Sequence, residues 1–149
     1  MRRPLLACLA GVVLAAALLA APTAGAAAKP RLAVVSFAGS ALPGLEPPSD
    51  AVKPGGTYGS CYVDRLERLY AFVRFSGMRA KAKASVAWSL NDEQVYVDRF
   101  KWDLGAKGQA GFFLHAGGEV MPDGRYTVEV RVAGKLLARA SVTRVSLYC

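Results

Sequence analysis

From Arg79 to Leu90 the chain alternates without a break. Ala80, Ala82, Ala84, Val86, Trp88 and Leu90 share one parity, and Arg79, Lys81, Lys83, Ser85, Ala87 and Ser89 share the other. Successive side chains of a β-strand point to opposite faces, whereas a helix repeats every 3.6 residues, so this register predicts a strand that is dry on one side and wet on the other. Such a strand cannot stand alone. Its apolar face needs a second layer to cover it, which makes a two-layer all-β fold the economical solution.

The same period recurs along the chain. Tyr96, Asp98, Phe100, Trp102 and Leu104 alternate with Val95, Val97, Arg99 and Lys101, and Tyr126, Val128, Val130 and Val132 alternate with Arg125, Thr127, Glu129 and Arg131. Turn chemistry separates these runs. Asn91-Asp92 tolerates left-handed backbone, Pro122-Asp123-Gly124 presets one dihedral and frees another, and Gly134-Lys135 turns the chain into a strand from Leu136 to Val145. Ala110 to His115 is a further short strand and Arg31 to Phe37 a first one. Between Leu66 and Phe75, Leu69, Ala71, Val73 and Phe75 share one face while Tyr70 and Phe72 occupy the other, as in a central strand. The charge spacing of Asp64-Arg65-Leu66-Glu67-Arg68-Leu69-Tyr70-Ala71 also permits a helical turn there. Together the runs predict about seven antiparallel strands with turns every eight to twelve residues, the spacing of a β-sandwich.

The N-terminus reads as an export signal. Met1-Arg2-Arg3 is a basic start, Leu5 to Ala21 is apolar, and Pro22 leads into Thr23-Ala24-Gly25-Ala26-Ala27-Ala28, where cleavage after Ala26 or after Ala28 is equally readable. Residues 1–28 are therefore assigned to the signal, 29–60 to the first strand and an irregular segment rich in Pro and Gly, and 61–149 to the main sandwich, with 29–149 forming one domain. An uncleaved anchor is the rival reading. Beyond the leader no apolar run approaches the ~18 residues that cross a bilayer, so contact with the membrane is expected only during export. The mature protein is expected in the periplasm or the medium.

Export changes which cysteines count. Cys8 leaves with the leader, and Cys61 and Cys149 remain as a pair in a compartment where disulfides persist. A bond between them is predicted, with intermolecular pairing through Cys149 as the alternative. Loss of Arg2 and Arg3 leaves 17 basic residues against 11 acidic, a net of +6, which favours anionic partners.

Signatures of chemistry are sparse. His115 is the sole histidine, and without ligands at metal spacing it implies no metal site; no Gly-x-Ser-x-Gly elbow accompanies it. Gly55-Gly56 and Gly117-Gly118 precede no helix that would cradle phosphate. Asp98 with Asp103, and Asp92 with Glu93, are explained as solvated charges. No catalytic residue, cofactor or specific nucleic-acid motif is assigned, and the chain is read as a non-enzyme. Arg79, Lys81 and Lys83 are the candidate anion-binding residues, because alternate positions on one strand align three cations about 7 Å apart. The competing explanation is that they guard an edge strand against pairing. Tyr70, Phe72, Tyr96 and Trp102 are candidates for stacking sugars, or more simply for the core.

The run from Pro122 to Ala138, Pro-Asp-Gly-Arg-Tyr-Thr-Val-Glu-Val-Arg-Val-Ala-Gly-Lys-Leu-Leu-Ala, preceded by the strand of Trp88, resembles the closing strands of bacterial immunoglobulin-like and fibronectin type III-like modules. The resemblance covers roughly residues 62 to 146. It implies an antiparallel immunoglobulin-like β-sandwich that binds or supports a protein or anionic component of the cell envelope, and it transfers no catalytic residue. Cys61 and Cys149 depart from the antibody-type arrangement around the tryptophan, so the bridge is expected to tie a loop or edge to the end of the domain. The alternative function is an accessory protein that holds anionic glycan or lipid on a basic strand face.

Overall fold

A computed structural model describes residues 27–61 and 65–149. The export-signal reading, with Cys8, falls on residues of which 1–26 lie outside that range. Among the described residues there are eight strands and no helix: β1 (Arg31–Ala38), β2 (Thr57–Cys61), β3 (Arg68–Ser76), β4 (Lys83–Leu90), β5 (Glu93–Lys101), β6 (Gly108–His115), β7 (Gly124–Val132) and β8 (Lys135–Leu147). They form a three-stranded sheet in the order β1-β3-β6 and a five-stranded sheet in the order β2-β8-β7-β4-β5.

The alternation seen in the sequence becomes the interior. Ala84, Val86 and Trp88 of β4 and Tyr126, Val128, Val130 and Val132 of β7 are buried, and from the other sheet Leu69, Ala71, Val73 and Phe75 of β3 meet them. Aromatic pairs join the layers: Phe37 meets Trp88 edge-on at 6.4 Å, Phe75 meets Trp102 at 4.8 Å, and Phe100 lies 6.0 Å from Phe112. Each such pair adds about 1 kcal/mol to the burial of its rings. One contiguous core includes residues of both sheets and of the segment that joins β1 to β2.

Three expectations need correction. The strands number eight rather than seven, because Thr57–Cys61 pairs along β8 from Thr57↔Thr143 to Cys61↔Leu147. That pairing is parallel, so the fold is not purely antiparallel. In Thr-Tyr-Gly-Ser-Cys the strand propensity of Thr57 and Tyr58 is interrupted by Gly59, and the strand is completed by the β8 ladder and by the bridge at its end. Third, the strand expected from Arg79 begins only at Lys83. Lys81 has φ +61°, and Ala82 N–H bonds Arg79 carbonyl across a turn, so residues 79–82 approach the sheet as a loop. The helical alternative at 64–71 is not adopted over residues 65–71: 65–67 lead into β3, and 68–71 are its first residues.

The turns follow their chemistry. Asn91 (φ 49°) and Asp92 (φ 71°) join β4 to β5, and Ala133 (φ 50°) with Gly134 (φ 78°) joins β7 to β8, each a two-residue link with both residues left-handed. This geometry matches the twist of paired strands. Gly124 (φ 149°) sits where the backbone favours glycine, and an added Cβ would lie 2.7 Å from Leu90 Cδ1 and 2.8 Å from Asn91 Oδ1, so those side chains would have to shift.

Cys61 and Cys149 are bonded, with Cα atoms 5.5 Å apart and a sequence separation of 88. The bridge ties edge strand β2 to the chain end. Beside it, the buried guanidinium of Arg144 donates to the Asp123 carboxylate, to Ser146 Oγ at 2.7 Å and to Ser60 Oγ at 3.3 Å. Hydrogen bonds from Ser146, the backbone one foremost, hold the Asp123 carboxyl below its ordinary range. Tyr126 Oη donates to the Pro122 carbonyl at 2.7 Å, and burial pushes its phenol up to about 12 against the opposing charge of Arg144.

Two predictions follow from these anchors. Replacing both Cys61 and Cys149 by Ser removes a constraint on a long loop of the unfolded chain, and denaturant melts should show a loss of about 4 kcal/mol in the chain-entropy model. Because the Tyr126 pKa is raised on folding, its contribution is complete below pH ~10 and declines as pH rises from ~10 to ~12, by on the order of 2 kcal/mol. Tyr126→Phe should therefore cost about 1 kcal/mol at neutral pH and show a shallower loss of stability across that alkaline window than the parent protein.

Candidate functional site

The face of the five-stranded sheet that points away from the core carries the polar parity of each strand. Register places Ser85 of β4 opposite Arg99 of β5 on one side and Arg131 of β7 on the other, and it places Lys83 directly opposite Lys101. Strands lie about 4.8 Å apart, so Arg99 and Arg131 flank the short Ser85 side chain at about 10 Å between backbones, with the two lysines one step along. The result is a shallow basin lined by Lys83, Ser85, Arg99, Lys101 and Arg131 and closed at one end by Gly134. All four cations are exposed.

Charge is poorly compensated here. Arg131 lies 3.4 Å from Glu129, which also meets Arg139 at 3.5 Å. Among the described residues Lys83, Arg99 and Lys101 take part in no ion pair. Like charges placed directly opposite on neighbouring strands destabilise a sheet, so the Lys83↔Lys101 pair costs the fold something that a bound anion would relieve.

The residues singled out in the sequence divide. Lys83 belongs to this basin, but Arg79 and Lys81 do not share a strand face with it, since both lie in the turn before β4. The three-cation row is replaced by a cluster drawn from three strands. Arg99, Lys101 and Arg131 were missed as site residues because pairing register, not local spacing, brings them together. Their outward parity was visible, and the order β7-β4-β5 was the missing information.

Edge protection explains only part of the cluster. β5 is an edge strand, and Arg99, Lys101 and a bulge opposite Trp88 and Ser89 suit that role. Lys83 and Arg131 lie on β4 and β7, which are paired on both sides and need no guard.

The other candidates occupy ordinary positions. His115 ends β6, exposed, and its Nδ1 accepts the Gly117 N–H at 3.1 Å, which leaves the proton on Nε2. Of the four proposed stacking aromatics, Phe72 and Trp102 are buried, Tyr70 is half-buried and Tyr96 is exposed. Among the described residues no group of three or more His, Cys, Asp or Glu side chains is placed to hold a metal ion, and no helix is long and apolar enough to cross a membrane.

No family model matches the chain. No curated protein matches it either. Among solved structures, the alkylpurine DNA glycosylase AlkC from Pseudomonas fluorescens, bound to DNA containing an abasic site analog, is similar at 20% identity and a TM-score of 0.36. That match covers 54% of this chain and 26% of the glycosylase chain, a likeness too slight to transfer an activity.

The opposed lysines of the basin generate a stability prediction. Lys101→Glu converts the opposed lysines into an attractive pair and should stabilise the protein by about 0.5 kcal/mol in denaturant melts at low salt. An unchanged or lowered midpoint would show that Lys83 and Lys101 do not repel.

Proposed function

We propose that the protein is an exported, non-enzymatic module of immunoglobulin-like architecture that binds an anionic component of the cell envelope through the basin of Lys83, Arg99, Lys101 and Arg131. The observation that carries this reading is the convergence of those cations from β4, β5 and β7, two of them on strands where edge protection has no purpose.

Several features support the architecture. β1, β3 and β6 correspond to strands A, B and E of an immunoglobulin-like sandwich, and β4, β5, β7 and β8 to C, C′, F and G, in the matching sheets. The core tryptophan, Trp88, falls on the C-like strand. Tyr126 on the F-like strand bonds back to the Pro122 carbonyl, as the tyrosine corner of such folds does. The parallel edge strand β2 and a bridge at the domain end, in place of one between the B- and F-like strands, distinguish this chain from antibody domains. The disulfide also supports a periplasmic or secreted location.

An exposed cationic cluster on a rigid sheet acts by concentrating polyanions and by releasing their counterions, without demanding a shaped pocket. Envelope phosphates and acidic glycans have the required charge. With dextran sulfate as probe and neutral dextran as control, four contacts predict that affinity falls by roughly 100-fold between about 50 and 200 mM salt. Substituting Lys83, Arg99, Lys101 and Arg131 by Gln should abolish that binding without lowering the melting midpoint, since it also removes the repulsion between the opposed lysines. Affinity that ignores salt, or that survives the four substitutions, would contradict the proposal.

A further inference from the structure

On the flank of the sandwich, edge strand β5 of one sheet faces edge strand β6 of the other, and the two are not paired. Between them lies a cleft of about 230 Å³ lined in part by Trp88, Tyr96, Asp98, Phe112, Phe113 and His115. Drug-sized ligands occupy pockets of roughly 300–1,000 Å³, so this one suits a single ring. Tyr96 on β5 and Phe113 on β6 both line it and are 47% and 50% exposed; the Phe113 ring also packs against Tyr70 at 5.5 Å and lies 5.7 Å below the Arg68 guanidinium, so Tyr96 is the ring left free to stack.

The polar groups of the cleft are unspent. The Trp88 side chain is fully buried, yet its indole Nε1–H finds no acceptor among the described residues. A buried donor without a partner costs about 1–3 kcal/mol, and in a native fold it asks for an explanation. Among the described residues the side chains of Asp98 and Tyr96 enter no hydrogen bond or ion pair, and His115, its Nδ1 occupied by Gly117, has Nε2–H to offer.

We infer that this cleft binds one pyranose unit of a neutral glycan. The apolar C–H face of a sugar ring packs against an exposed aromatic ring, as apolar surface does generally. Its hydroxyls then serve as acceptors for Trp88 Nε1–H and His115 Nε2–H and as donors to the Asp98 carboxylate. Competing ligand classes fit less of the site. A quaternary ammonium would use the aromatic rings and Asp98 but would leave the Trp88 donor unsatisfied. An anion would satisfy the donors but meet the Asp98 charge. The inference is independent of the cationic basin, which lies on the outward face of the same sheet, and a neutral sugar makes no demand on that basin.

The test uses the mature protein labelled with ¹⁵N, titrated with maltotriose, cellotriose and chitotriose, with choline as control. The two tryptophans give two indole signals. Trp102 Nε1–H already donates to the Gly105 carbonyl at 2.7 Å and serves as internal reference. One of the sugars should shift the Trp88 indole signal saturably and leave that of Trp102 in place. Trp88→Phe risks the core, so the exposed positions carry the mutational test: Tyr96→Ala and Asp98→Asn should each weaken binding roughly tenfold, whereas Lys135→Glu, at an exposed position outside both surfaces, should leave it unchanged. No saturable shift with any of the three sugars to about 20 mM, a shift with choline alone, or sugar binding indifferent to Tyr96→Ala and Asp98→Asn would each overturn the assignment.

Discussion

The structure depends on the burial of one parity of β4 and β7 against β3. Trp88, Val128 and Val130 have no exposed surface, and neither do Leu69 and Ala71 opposite them. Fully burying a side chain of this size contributes about 1.5–3 kcal/mol each, more than any ion pair on the surface can supply. Because the side-chain period of a strand is two, a slip of one residue would invert every position at once, so the register of the whole five-stranded sheet is fixed by these few residues.

That constraint also composes the outer face. Once Ala84, Val86 and Trp88 are committed inward, Lys83 and Ser85 have no choice but to face water, and pairing brings Lys101, Arg99 and Arg131 beside them. Nothing in the folding problem requires all four to be cationic; a mixture of signs would serve solubility and would stabilise the sheet through cross-strand pairs. The arrangement therefore sets stability against charge, a compromise usually found where a surface has a partner.

Much of this was legible in the sequence, and the boundary between what was and what was not is physical. Alternation exposed β4, β5 and β7, and the residues Asn91-Asp92 and Gly134 exposed two of their turns, since both signals are local. Cys61 and Cys149 were recognised as partners from compartment and count alone. The edge strand β2 was hidden because Gly59 interrupts its own propensity and its order is completed by β8 and by the bridge. The start of β4 was misplaced because Ala80 and Ala82 continue the apolar parity into a turn, where Lys81 takes a left-handed conformation the pattern does not encode. The cationic basin was half legible: Lys83 was identified, while its neighbours are 16, 18 and 48 residues away along the chain and converge only through sheet order.

Strand β5 connects the two surfaces. As an edge strand paired only to β4, with Phe100 alone of its even residues packed on the core, it leaves odd residues Arg99 and Lys101 to face the basin while even residues Tyr96 and Asp98 face the flank cleft. A central strand could not do this, because its inward parity would be sealed in the core, as Val128 and Val130 are on β7. The same alternation separates the two chemistries: cations attract charge from one side, and aromatic rings with one carboxylate take an uncharged ring from the other. Neither set contains residues that contact the other's ligand, so substitutions in one should act additively with those in the other. A polymer bearing both acidic groups and neutral sugar rings would engage both, and the second contact would then form at the high effective concentration set by the first.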